Sequence, residues 1–149
     1  MKIILLFTIL VTLCNAKLVR FNDGNVVIDT KTKLMWSDHE NKTSTWSNAL
    51  IYCNTLNRTF TINSQSFVLD DWRLPNQNEI SSLIDYTKTN SAFSNAFLFL
   101  APISNNNYFS STTYKRDETK VYGINNGSGL DVFLLKSSLF FVKCVRDFK

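Results

Sequence analysis

The chain is poor in the residues that build catalytic and metal centres. It has one histidine, His39, and three cysteines, of which Cys14 falls in an apolar leader. His39 sits in the polar stretch Ser37 to Thr45 among charged neighbours and with no nucleophile beside it, so it reads as an exposed, idle residue. Lysine and arginine outnumber aspartate and glutamate by only 16 to 12, and the excess is dispersed, which gives no basic stripe for nucleic acid. No long apolar run follows residue 13, so no transmembrane segment is expected beyond the leader. The sequence also has no internal repeat, linker or low-complexity tract.

What is present begins with a leader. Lys2 and the apolar run Ile3 to Leu13, ended by Asn15-Ala16, read as a secretory signal peptide over residues 1–16, cleaved after Ala16. Lipidation at Cys14 is the alternative, disfavoured by the bulky Leu13 before it. The mature chain, Lys17 to Lys149, suits one domain with a sizeable core, and loss of Lys2 lowers the formal charge from +4 to +3. Two cysteines remain, Cys53 and Cys144. In an oxidising compartment that even pair reads as a disulfide closing a loop of about 90 residues, worth roughly 4–5 kcal/mol in the chain-entropy model. A redox or metal pair is the functional alternative; the wide spacing and the lack of a nearby histidine disfavour it.

The stretch Asp70-Asp71-Trp72-Arg73-Leu74-Pro75-Asn76 with Glu79 organises the rest. Pro75 keeps Leu74 extended, and Asn76 with Glu79 forms a capping box, so the chain turns sharply into a helix running to about Tyr86. Ile80, Leu83 and Ile84 form its apolar stripe. Earlier, Asp23-Gly24 is a turn signal, Val26 to Ile28 and Leu34 to Trp36 are short strands, and Thr30 to Lys33 is a turn. Thr45 can cap a helix over Trp46 to Asn57, whose stripe is Trp46, Ala49, Leu50, Cys53 and Leu56. Phe60 to Leu69 fits a hairpin. Tyr108 to Tyr114, Val121 to Ile124, Leu130 to Leu135 and Phe140 to Val145 are β-prone. The disulfide would therefore staple the first helix to the last strand.

In that order these pieces resemble the Lcl C-terminal domain family, adhesive domains first named from a collagen-like bacterial surface protein. The resemblance rests on Phe21 to Val26 with Leu34-Met35-Trp36; on Trp46, Ala49, Tyr52-Cys53 and Leu56-Asn57; on Asp71 to Asn76 with Glu79 and Leu83 to Asp85; on Tyr108 to Thr112; and on Phe141 to Arg146. Three positions depart from the pattern: Phe109 replaces the usual tryptophan, Lys33 a usual glycine and Lys143 a common arginine. The resemblance implies an α+β, C-type-lectin-like fold in which two helices flank small antiparallel sheets and the chain ends pair. It also implies a secreted, periplasmic or cell-surface, non-catalytic module that recognises glycans, sulfated ones included, or another surface polymer.

Trp36, Trp46, Trp72 and Leu74 read as core, and Arg73 with Glu79 as a partly buried pair fixing the helix entry, with Trp72 and Asn76 in the same structural motif. The exposed ligand candidates are Lys115, Arg116 and Lys120 beside Tyr114 and Tyr122: cations for sulfate or carboxylate groups, ring faces for sugars. Asp117 and Glu118 dilute that field. The Glu-Pro-Asn and Gln-Pro-Asp signatures of calcium-dependent lectins are missing and Asp70-Asp71 alone is a thin basis for a metal site, so no calcium and no other cofactor is expected. The competing readings are a structural subunit of a surface assembly, and an enzyme related to sulfatase-modifying factors, whose chemistry needs reduced cysteines.

Overall fold

Val26, Val27 and Ile28 run apolar without alternation because both faces of their strand are covered. The computed structural model describes residues 18–21, 25–62, 64–88, 92–93, 95–102 and 106–148. The leader with Cys14 and Ala16, and the Asp23-Gly24 turn, lie outside these. In chain order the elements are β1 (Leu18–Phe21), β2 (Val26–Asp29), β3 (Leu34–Ser37), β4 (Lys42–Ser44), α1 (Trp46–Asn54), β5 (Arg58–Ile62), β6 (Gln65–Leu69), α2 (Gln77–Ser81), β7 (Asn107–Thr113), β8 (Lys120–Asn125), β9 (Asp131–Leu135), β10 (Phe140–Val142) and β11 (Val145–Asp147). The class is α+β, with mostly antiparallel sheets and, among the described residues, two short helices.

A four-stranded sheet in the order β1-β2-β3-β11 separates two cores. Val27 and Trp36 face one, with Ile80, Leu83, Phe93 and Tyr108. Val26, Ile28 and Met35 face the other, with Trp72, Leu74, Phe109 and the cysteines. A five-stranded sheet, β4-β10-β7-β8-β9, lies beside it, and β5-β6 is a separate hairpin. The expected pairing of the chain ends is corrected: β1 and β11 share one sheet but occupy its opposite edges, with β2 and β3 between them.

The last strand is also not continuous. Phe141 pairs with Thr43 and, in parallel, with Tyr108 in the larger sheet, whereas Val145 pairs with Trp36 in the smaller one. Lys143 and Cys144 make the crossover. Cys144 is bonded there to Cys53 of α1, with Cα atoms 5.4 Å apart and both residues fully buried. The organising stretch docks on the same crossover, since Arg73 and Val145 exchange two backbone bonds of 2.8 Å.

Both helices are shorter than expected. α1 ends at Asn54, because the Leu56 amide turns back to the Cys53 carbonyl in a tighter closure. Thr45 occupies its N-cap position, yet its side chain makes no capping bond. α2 ends at Ser81: the amides of Leu83 and Ile84 bond three residues back, to Ile80 and Ser81, and this tightening carries Ile84 into a bridge with Phe93. The capping box is formed, with Glu79 N–H donating to Asn76 Oδ1 (2.9 Å) and Asn76 N–H to Glu79 Oε2 (2.8 Å). Trp46 is only half-buried, its indole N–H donating to the Ser110 carbonyl at 2.9 Å and Lys136 Nζ lying 4.5 Å from its ring centre.

Lys33 has φ 60°, a left-handed conformation, which accounts for glycine at this position in the resembling pattern. The side chain there costs roughly 1–2 kcal/mol, partly offset by the chain entropy that glycine would lose on folding. Lys33→Gly should therefore raise the urea midpoint; an unchanged or lowered midpoint would count against a strained turn.

A buried ionic centre lies where the sequence showed only a departure from arginine. Asp38, fully buried, accepts from Lys143 Nζ at 2.5 Å, from Arg20, and from the amides of Leu98 (2.7 Å) and Phe99 (3.2 Å). Lys143 Nζ also donates to the Phe99 carbonyl at 2.6 Å. Burial, against the attraction of Asp38, holds the Lys143 ammonium below the ordinary lysine pKa. The cluster ties β1, the crossover and the irregular 97–99 segment together.

Candidate functional site

β7 carries a bulge between Phe109 and Thr113, where its register against β8 shifts. The polar groups released there are used elsewhere: Ser111 N–H donates to the Pro75 carbonyl (2.7 Å), and the Ser110 hydroxyl donates to the Tyr122 carbonyl (2.7 Å). Gly123 sits opposite Phe109 beside this bulge, and a Cβ there would lie 2.5 Å from the Tyr108 carbonyl oxygen. Beyond the bulge β7 resumes at Thr113, opposite Val121, and delivers Tyr114 over β8.

The β8–β9 register places Tyr122 opposite Phe133. Three rings meet as a result. Tyr114 and Phe133 have centroids 4.2 Å apart, Tyr122 and Phe133 5.3 Å, and Tyr114 and Tyr122 5.5 Å in an edge-on arrangement. Phe133 is 53% exposed and Leu135 44%, which leaves this face open. Sequence reasoning missed Phe133, although the hairpin turn over Asn125 to Gly129 fixes the register that puts it opposite Tyr122.

The turn from Lys115 to Thr119 leaves the cluster at Tyr114 and returns to β8 at Lys120, whose carbonyl accepts from the Tyr114 amide at 3.0 Å. Lys120 Nζ is paired with Asp117 at 2.9 Å. Hydrogen bonds from the Thr119 hydroxyl first, then from Lys120 and the Thr119 amide, hold the Asp117 carboxyl down at about 2. Asp117 is thus ionised and committed to its own turn, and it neutralises Lys120. Lys115 and Arg116 are exposed and have no ion-pair partner among the described residues. The arrangement can hold a flat, weakly polar face on the rings and an anionic group at the rim.

Elsewhere Arg73 grips both oxygens of Glu79 at 2.7 Å and approaches Asp147 at 3.5 Å; Glu79 raises the arginine pKa. The Arg73 side chain is 43% exposed, whereas Trp72 and Leu74 are buried. His39 is neither exposed nor idle: its ring Nε2 lies 2.9 Å from the Tyr52 hydroxyl, which donates to Glu40 at 2.6 Å. The reason is the fold, which returns α1 against the loop that carries His39. Burial, then Glu40, push the Tyr52 phenol up. Among the described residues no cluster of three histidine, cysteine, aspartate or glutamate side chains could hold a metal ion, and no helix is long and apolar enough to cross a membrane.

The model of the family described as the Lcl C-terminal domain matches residues 25–146. Among curated proteins no match is found.

Proposed function

The chain belongs to the Lcl C-terminal domain family, and on that premise we propose that it is a secreted or surface-exposed, non-catalytic binding module for glycans, sulfated ones included. A surface-associated role follows from the family. A disulfide between two fully buried cysteines suits an oxidising compartment and supports both the signal-peptide reading and the C-type-lectin-like reading of the fold. It also leaves neither sulfur available for the chemistry of a sulfatase-modifying enzyme.

The observation that carries the proposal is the open ring cluster of Tyr114, Tyr122 and Phe133, with Lys115 and Arg116 exposed in the turn that directly follows Tyr114. Sugar rings would stack on the aromatic faces, and sulfate or carboxylate groups would meet the two cations. A glycan array probed with the folded chain is the direct test, and binding to sulfated or uronate-bearing chains is the expected result. An array with no binder would favour a structural subunit of a surface assembly instead. Charge reversal, Lys115→Glu with Arg116→Glu, should weaken heparin binding and flatten its salt dependence. An unchanged affinity would remove this rim from the site. Phe133→Ala should weaken binding without changing the salt slope.

A further inference from the structure

The ring cluster reaches the outer strand β9 of the five-stranded sheet through Phe133, and among the described residues no strand pairs with the far edge of β9. Of the outer strands of the two larger sheets, β9 is the longest and the only one without a basic residue: β1 carries Arg20, β4 Lys42 and β11 Arg146. It has no proline and no bulge, and its sequence is Asp-Val-Phe-Leu-Leu. Natural sheets block such an edge or use it.

The direction of its free groups follows from two bonds that flank the strand. Asn125 N–H donates to the Leu130 carbonyl, and Lys136 N–H to the Thr119 carbonyl. In an antiparallel ladder bonded pairs alternate, so Leu130, Val132, Leu134 and Lys136 turn their backbone groups toward β8. Asp131, Phe133 and Leu135 therefore turn theirs outward. The Leu135 carbonyl accepts one bond from Ser138 N–H and keeps a second lone pair.

We infer that a second copy of this chain pairs along β9, antiparallel about a two-fold axis beside Phe133, and joins the two five-stranded sheets into one. In that register Phe133 faces Phe133 of the second copy and each Asp131 faces the other Leu135, so every outward amide and carbonyl meets a complement. The faces are preserved, because residues directly opposite share a side. Charge does not oppose the pairing. Asp131, whose Oδ1 already accepts from Gln77, lies two strands, about 10 Å, from Lys120 of the other copy, and that lysine, held by its own Asp117, can share its ammonium across much of the span. The two Phe133 rings come together on the open face, and the two ring clusters become one platform to which each copy contributes. The pairing stands on the strand edge alone; its consequence for binding rests on the reading proposed above.

Sedimentation velocity and a cysteine cross-link test it on the folded, disulfide-bonded chain. A reversible dimer is expected at micromolar concentration. Leu135→Pro deletes an outward N–H and no bond to β8, so it should yield a folded monomer with an unchanged circular dichroism spectrum. Phe133→Cys should cross-link between copies under air, since paired Cα atoms in such a register sit about 5.5 Å apart. Val68→Cys, 66% exposed on β6, should not. If Leu135→Pro does not fold, the Phe133→Cys cross-link decides alone. A chain that stays monomeric and does not cross-link at Phe133 overturns the inference, as does a dimer that survives Leu135→Pro. A monomer that binds glycans would sink this inference only, and a dimer that binds none would sink only the proposed function.

Discussion

Asp38→Ala should cost the domain about 3–5 kcal/mol, because it leaves a fully buried ammonium without its counter-charge. Lys143 has a side chain 2% exposed, and among the described residues the only other acceptor of its Nζ is the Phe99 carbonyl. The same change strips the Leu98 and Phe99 amides of the Asp38 acceptor and removes one ion pair of Arg20. Lys143→Met should cost less, since Asp38 keeps Arg20 and both amides. The double variant should be more stable than Asp38→Ala alone, which is the signature of a charge stranded by the single change. Urea denaturation of the three variants checks this. Equal losses from Asp38→Ala and the double variant would mean that the ammonium finds water or another partner when Asp38 is gone.

Joint replacement of Cys53 and Cys144 by alanine should lower stability by about 4–5 kcal/mol, as should reduction of the native chain. The bond spans 91 positions, so the unfolded chain regains a large loop when it is lost. The folded state loses a direct tie between α1 and the crossover that also bears Lys143 and the Arg73–Val145 bridge. Guanidinium unfolding with and without reductant measures the effect. A loss below about 1 kcal/mol would show that the surrounding core holds the crossover without the bond, against the loop-entropy account. For a domain whose whole stability falls within the usual 5–15 kcal/mol, either change is a large fraction.

The residues of these two centres differ in how far the sequence announces them. The cysteine pair could be matched from the sequence, because once the leader is set aside only two thiols remain and two can pair in one way. The capping box was equally legible, since Asn76 and Glu79 are three apart and the helix start needs only local bonds. Asp38 and Lys143 are 105 positions apart. Asp38 lies in a polar stretch that reads as loop, and Lys143 interrupts an apolar run as a snorkelling surface lysine would. Their burial depends on the crossover between sheets, which no local pattern announces.

The ring cluster divides in the same way. Tyr114, Lys115, Arg116, Lys120 and Tyr122 are close in the chain and were visible as a group. Phe133 belongs to the next strand, and the strand edge beyond it exists only once the sheet order is known. His39 shows the converse error: its neighbours are charged, so it reads as exposed, while α1 brings Tyr52 to it from 13 positions away.

The sequence alone determined the family, the positions of most short elements, the cap and the sulfur pair, because each depends on residue identity or on spacing within a few turns. Only the tertiary structure decided that the last strand changes sheets, that a lysine is buried against an aspartate, and that the chain ends lie at opposite edges of one sheet. Those outcomes depend on which surfaces lose water to which. That is settled by packing two cores on a shared sheet, and no single segment encodes it.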